Sequence, residues 1–266
     1  MIKQLLVFTL VCFGIIQLYN KATDGFSVAQ MRSHLPLDHR FNPPEISEEK
    51  REALASILAQ PYRYLGKGCQ FYAFESADGR HVLKFLKQKH LRPSSSLFRE
   101  SQLRRQARVE RLFSSVKLAF EQMPKESGLL YIHLNKVPAL KMRVTLIDNV
   151  GLRHKVAVDE YEFVLQERAQ TAKEVFACAS EEEAKARIAQ LAELVHARCA
   201  KGIRDRDRSF VQNVAFKEDR AVYIDVGQMC LDETIRAEEE LDLQRRMGNL
   251  RFWMEKHHPE FSHLLN

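Results

Sequence analysis

Apolar residues gather along this chain in three kinds of run, and each kind predicts a different element. The first is continuous: Leu5 to Leu18 is broken only by Thr9 and Gln17. That falls short of the roughly 20 apolar residues a membrane span needs and suits the hydrophobic region of a signal peptide. The following "YNKATDG" offers no small-x-small cleavage site, so the run predicts a signal anchor or uncleaved signal over residues 1–20. Lys3 before it and Lys21 and Arg32 after it are too balanced to fix an orientation.

The second kind recurs at helical spacing. "SEEKREALASILAQP" begins with Ser47 as an N-cap, puts acids in its first turn, aligns Leu54, Ile57 and Leu58, and stops at Pro61. From Leu97 to Met123, Val109, Leu112, Phe113, Val116 and Phe120 share one face among many arginines. Over residues 180–200, Ser180 and Glu183 form a capping box and Ile188, Leu191, Val195 and Cys199 a buried stripe, with Gly202 as the stop. The stretch after Leu231 reads as helical and charged.

The third kind is short and β-leaning. "YRYLGKGCQFYAFES" and "HVLKFLK" flank Asp78-Gly79, a strong hairpin signal. "LLYIHLNK", "MRVTLIDN" and "EYEFVLQERA" come after the long helix, with "VGLRHKVAVD" read as the connection between the last two. Residues 58–168 therefore predict a mainly antiparallel sheet interrupted by one helix. "NVAF" and "AVYIDVG" around "KEDR" predict a second, smaller hairpin. Residues 20–46, with "SHLPLDHRFNPPE", predict a tether or irregular wrap.

Composition narrows the function classes only a little. The chain has 266 residues, 45% of them hydrophobic and 29% charged, enough for one large domain or two small lobes. A formal charge of +6 permits contact with phosphates or an acidic membrane surface and demands neither. Five scattered cysteines without a Cys-x-x-Cys pair argue against a zinc site or a disulfide framework. Arg99, Arg104, Arg105, Arg108 and Arg111 lack the interleaved aromatics of a single-strand binder, so no nucleic-acid partner is expected.

Two places could carry chemistry. Gly66-x-Gly68 in the first hairpin would let backbone amides approach phosphate oxygens, with Lys84 on the next strand to neutralise them. The bland alternative is a glycine bulge beside a solvent-facing lysine. In "KGIRDRDRSFVQN" a loop aspartate could accept a hydroxyl proton, while Asn213 and Asp225 of "YIDVG" could hold Mg²⁺ between phosphates. Its bland alternative is a surface turn in which Asp205 and Asp207 pair with Arg204, Arg206 and Arg208.

In order, these motifs resemble the protein-kinase-like superfamily over roughly residues 60–230. "LGKGCQFYAF" is similar to its phosphate-covering loop, "HVLK" to its strand lysine, "GIRDRD" to its catalytic Arg-Asp segment and "IDVG" to its Asp-Phe-Gly motif. The "HLNK" and "DVG" stretches are also similar to uncharacterised chlamydial proteins, which adds no function. The superfamily resemblance implies a bilobal α+β kinase-like fold: an N-lobe over 58–166 and a shortened helical C-lobe over 167–266, preceded by the 1–20 hydrophobic segment and a 21–57 tether with a short helix. It implies ATP and Mg²⁺ as cofactors, Asp207 as the base with Asp205 as helper or structural substitute, and Asn213 and Asp225 as metal ligands. Gly66, Gly68 and Lys84 become phosphate contacts, and Glu110 the helix acid facing Lys84, with Glu100 and Glu121 as alternatives.

The departures count too. Phe71 stands where the loop's third glycine belongs, and Asn213 lies one residue further from Asp207 than the family pattern. The short remainder after Asp225 points to a non-peptide acceptor. Phosphoryl transfer is the expected activity, with a membrane-anchored pseudokinase as the alternative. The expected partners are a nucleotide and, through the N-terminal segment, a membrane. The expected location is membrane-associated, with export as the alternative.

Overall fold

The computed structural model describes residues 2–88 and 99–265. The N-terminal run folds as one helix, α1 (Ile2–Ala22). Among the described residues no helix is long and apolar enough to cross a membrane, so the expected signal anchor is not supported. Lys3, Gln4, Gln17, Asn20 and Lys21 interrupt the apolar sequence of α1 within its own length.

The chain divides into two compact units, Met1–Arg99 with His133–Leu165, and Glu100–Ile132 with Gln166–Asn266. In the first, α2 (Glu48–Leu58) begins where its cap predicts, the Ser47 hydroxyl accepting the Lys50 amide at 3.3 Å. The hairpin predicted at Asp78-Gly79 joins β2 (Phe71–Ser76) to β3 (His81–Leu86), preceded by β1 (Tyr62–Lys67). With β4 (Leu129–His133), β5 (Arg143–Ile147), β6 (Arg153–Ala157) and β7 (Phe163–Glu167) they make a seven-stranded sheet ordered β4-β7-β3-β2-β1-β5-β6.

Strand β6 corrects the sequence reading. "RHKVA" pairs antiparallel with β5, Val144 opposite Val156, where a connection was expected. Of its five residues only Val156 is buried, so the strand carries no apolar alternation to announce it. The wrap after α1 is fixed by Phe26, whose buried ring lies 5.1–5.8 Å from those of Tyr64, Tyr72 and Phe74.

The second unit holds α3 (Arg99–Gln122), α4 (Pro124–Ser127), β8 (Gln170–Thr171), α5 (Ala172–Phe176) and α6 (Glu181–Ala200). It continues with β9 (Ile203–Asp205), α7 (Phe210–Asn213), β10 (Val214–Lys217), β11 (Arg220–Tyr223), β12 (Met229–Leu231) and α8 (Glu239–His257). The Ser180–Glu183 capping box forms as expected. Leu97 and Phe98, where the reading began the long helix, lie outside the described residues. The "KEDR" turn joins β10 to β11, and β9 pairs with β12, Asp205 opposite Met229. The chain is a mixed α+β protein.

Candidate functional site

In the second unit the two acidic segments are stitched together by backbone. Strand β9 delivers Asp205 and β12 begins at Met229, and the pairing of these strands places Arg206 N–H on the Gln228 carbonyl at 3.1 Å. Across the hairpin, the Asn213 carbonyl accepts the Ile224 amide at 2.8 Å and the Asp225 amide at 3.4 Å. Asp225 therefore hangs from the backbone of Asn213. Its carboxylate accepts the Gly227 amide at 3.0 Å, and its side chain faces solvent.

Asn213 is 7% exposed as a residue; its carboxamide makes no hydrogen bond among the described residues and is not one of the polar groups sealed from solvent without a partner. Asp207 is half-buried, and its carboxylate accepts the Ser209 amide at 2.8 Å. The extra residue between Asp207 and Asn213 has a physical account: the segment winds into the single turn α7, which buries Phe210 and Val211.

The loop is braced by a buried charge network that sequence reading missed. Arg246 of α8, 3% exposed, donates to the carbonyls of Asp205 and Asp207, both at 2.6 Å. It lies 3.3 Å from the Asp205 carboxylate and places its guanidinium 5.8 Å from the Phe210 ring. Burial pushes the Asp205 carboxyl above the ordinary range, while Arg246 and the Asp207 amide pull it down. Asp205 is thus a structural member of the loop. The one available signal was the run of acids and arginines in "EEELDLQRRMG", within the stretch that reads only as helical and charged.

The paired surface turn does not form. Arg204 turns to Asp232 at 2.6 Å and Glu238 at 3.0 Å, and Asp205 to Arg246. Arg206 and Arg208 are exposed, with no ion pair among the described residues.

The first unit carries the glycine turn. A β-bulge between Tyr64 and Gly66 precedes it, and the Gly68 amide donates to the Phe71 carbonyl at 3.0 Å. A Cβ placed on Gly66 or Gly68 would meet no atom within 4 Å, so the backbone here is open to approach. Lys67 between them bonds the Asp24 carboxylate at 2.7 Å, and Lys87 Nζ bonds the Gly68 carbonyl at 2.5 Å. Lys84, half-buried on β3, is opposite Ala73. Glu110 lies exposed on α3 in the second unit, and Glu121 is 3.9 Å from Lys117.

Asp207, Asn213 and Asp225 thus share one loop assembly, and Gly66, Gly68 and Lys84 one hairpin region. The oxygens of Asn213 and Asp225 suit a hard cation such as Mg²⁺, which takes one or two protein carboxylates and completes its shell from phosphates and water. No cluster of three or more His, Cys, Asp or Glu that could hold a metal occurs among the described residues.

No family model and no curated protein matches the chain. It is similar to solved structures of WbdD. A co-crystal structure of WbdD with the kinase inhibitor LY294002 aligns with a TM-score of 0.39 and 15% identity, over 70% of this chain and 36% of that one. A high-resolution WbdD structure gives 0.35 and 15%, over 62% and 32%. A medium-resolution structure of the bifunctional kinase-methyltransferase WbdD gives 0.34 and 14%, over 61% and 30%. The chain spans about a third of the length of these structures, and the likeness is coarse.

Proposed function

We propose that this is a kinase-like protein that transfers a phosphoryl group from ATP with Mg²⁺. The observation that carries the reading is the backbone link between Asn213 and Asp225: the carbonyl of Asn213, six residues beyond Asp207 on the same loop, accepts the Asp225 amide at 3.4 Å. Asn213 and Asp225 would hold the metal, which supplies charge neutralisation at the phosphates when bound. Asp207, fixed by its loop, would accept the proton of the acceptor hydroxyl. For the first unit the corresponding proposal is that Lys84 and the uncrowded backbone around Gly66 and Gly68 bind nucleotide phosphates, the Gly68 amide exchanging its bond to the Phe71 carbonyl for one to phosphate.

A non-peptide acceptor is favoured by the short path from Gly227 to α8. Only the three residues of β12 and a 3-10 helix over Glu233–Arg236 lie between them as regular structure. That leaves little chain from which to build a peptide-docking segment.

The test is thermal shift of the full chain with ATP, with and without Mg²⁺. Saturation at about a hundredfold above Kd is expected to stabilise the fold by about 2.7 kcal/mol, only with Mg²⁺. Asn213→Ala and Asp225→Ala are expected to abolish the gain. No shift in the wild type overturns the reading. A shift without ATP consumption leaves the pseudokinase alternative in its place.

A second reading concerns α1, where Phe8, Phe13, Ile15, Ile16 and Leu18 are all exposed. At 100° per residue these positions spread around much of the helix, and lipid solvates such a surface more readily than a one-sided protein groove does. Flotation of the full chain with phosphatidylcholine vesicles, lost in an Ile16→Glu variant, would support membrane association. Flotation unchanged by that substitution would count against it.

A further inference from the structure

Arg246 makes contacts that a structural ion pair does not need. Its Nη1 and Nη2 reach the carbonyls of Asp207 and Asp205, two residues apart, each at 2.6 Å. One planar guanidinium spanning both carbonyls fixes the separation between them, and so the path of Arg206 and the direction in which the Asp207 side chain leaves the loop. Phe210 lies against the same guanidinium at 5.8 Å, and the Asp207 amide donates to the Asp205 carboxylate at 2.9 Å. Apart from the Arg206 amide, which the Gln228 carbonyl holds at 3.1 Å, and the pairing of Asp205 with Met229, the contacts that fix the turn from Asp205 to Asp207 run through Arg246 or through the carboxylate beside it.

We infer that Arg246 is a positioning residue for Asp207, setting the geometry of the acceptor-activating loop from α8. The inference rests on the phosphoryl-transfer reading of Asp207. Its physical basis is the fork, not the charge. Arg246 also lies 3.6 Å from the Asp242 carboxylate, so lysine would keep a cation near Asp205 and Asp242 but could not present two coplanar donors to two carbonyls. Arg246→Lys therefore separates positioning from simple charge compensation. Asp205→Asn does the converse: it removes the ion pair and keeps both carbonyl bonds.

The experiment combines hydrogen exchange with turnover on the full chain. In Arg246→Lys, amides of residues 203–210 are expected to exchange about tenfold faster, the factor one lost hydrogen bond supports. Amides of α6 and of the β10–β11 hairpin should stay unchanged. ATP turnover is expected to fall by about tenfold or more while the KM for Mg²⁺·ATP stays within about twofold. Asp205→Asn is expected to lower global stability, because the buried Arg246 charge loses a partner, but to keep loop exchange relative to α6 and the β10–β11 hairpin, and turnover of the folded protein, within about threefold of wild type.

Unchanged loop exchange in Arg246→Lys, or exchange raised equally in α6 and β10–β11, overturns the inference. So does an Asp205→Asn variant that loses as much turnover as Arg246→Lys. If Arg246→Lys does not fold, a folded Asp205→Asn variant with faster loop exchange overturns it and one with wild-type loop exchange supports it. A wild type without Mg²⁺-dependent nucleotide binding refutes the phosphoryl-transfer reading, and the exchange data then decide separately whether Arg246 holds the loop.

Discussion

Arg198 on α6 and Asp242 on α8 form an ion pair sealed from solvent, their side chains 0% and 3% exposed. Arg198 also donates to the Tyr223 hydroxyl at 3.0 Å and to the Ile203 carbonyl at 2.6 Å, so it reaches the strand that leads into the candidate loop. Removing one member of a buried pair leaves an uncompensated charge and costs about 3–5 kcal/mol, whereas replacing both by apolar residues costs far less. Asp242→Leu is expected to lower unfolding free energy by about that amount in urea. The double variant Arg198→Met/Asp242→Leu is expected to be more stable than Asp242→Leu alone.

Gly68 and Gly202 should respond oppositely to alanine. Gly68 has no positive φ and open space where a Cβ would go, so Gly68→Ala is expected to keep stability within about 0.5 kcal/mol. Under the phosphate-binding proposal it should still weaken nucleotide binding. Gly202 has φ +68° and closes α6, and a Cβ there would lie 2.5 Å from the Glu233 carboxylate. That carboxylate ends an exposed side chain and can swing away, so the backbone term dominates. Gly202→Ala is expected to cost about 1–2 kcal/mol, read from the urea midpoint.

How much of the fold was legible in the sequence depends on the range of each signal. Ser47, Ser180 with Glu183, and Asp78-Gly79 act over a few residues, and their elements appear where expected. The hairpin carrying Asn213 and Asp225 was legible for the same reason. Strand β6 was not, because "RHKVA" is ordered by its partner β5 and buries a single side chain. The brace on the candidate loop was also hidden. Arg246 lies 39 residues from Asp207 in sequence, and nothing local marks one arginine of "QRRMG" as buried. Sequence placed the loop's acids in order; which of them is structural depended on contacts from α8.

Glu162 predicts a pH dependence in the first unit. It is 2% exposed, accepts Gln88 Nε2 at 2.9 Å and the Ser33 hydroxyl, and burial raises its carboxyl above the ordinary value of 4.5. Below that value both folded and unfolded chains hold the proton, and the contribution is fully present. As pH rises from 4.5, the unfolded chain ionises first, so stability falls until the folded value is passed. Glu162→Gln is expected to flatten the fall in Tm over that window and to raise Tm relative to wild type above it. Thermal melts from acidic to mildly alkaline pH read both effects.

Ser115, on α3, is the buried link between that helix and the segment carrying Asp225. Its hydroxyl donates to the Val226 carbonyl and accepts the Met229 amide at 2.6 Å. Alanine removes the donor and the acceptor together, leaving a buried carbonyl and a buried amide to find other partners, at a cost of about 1–3 kcal/mol. Because both bonds end on residues 226–229, the loss should concentrate there. Ser115→Ala is expected to speed amide exchange over 225–231 more than in α6, and to reduce the Mg²⁺-dependent thermal shift proposed for Asp225. Exchange that rises evenly across the second unit would mean that Ser115 contributes only to general stability. A hydroxyl on α3 would then have no special bearing on where Asp225 is held.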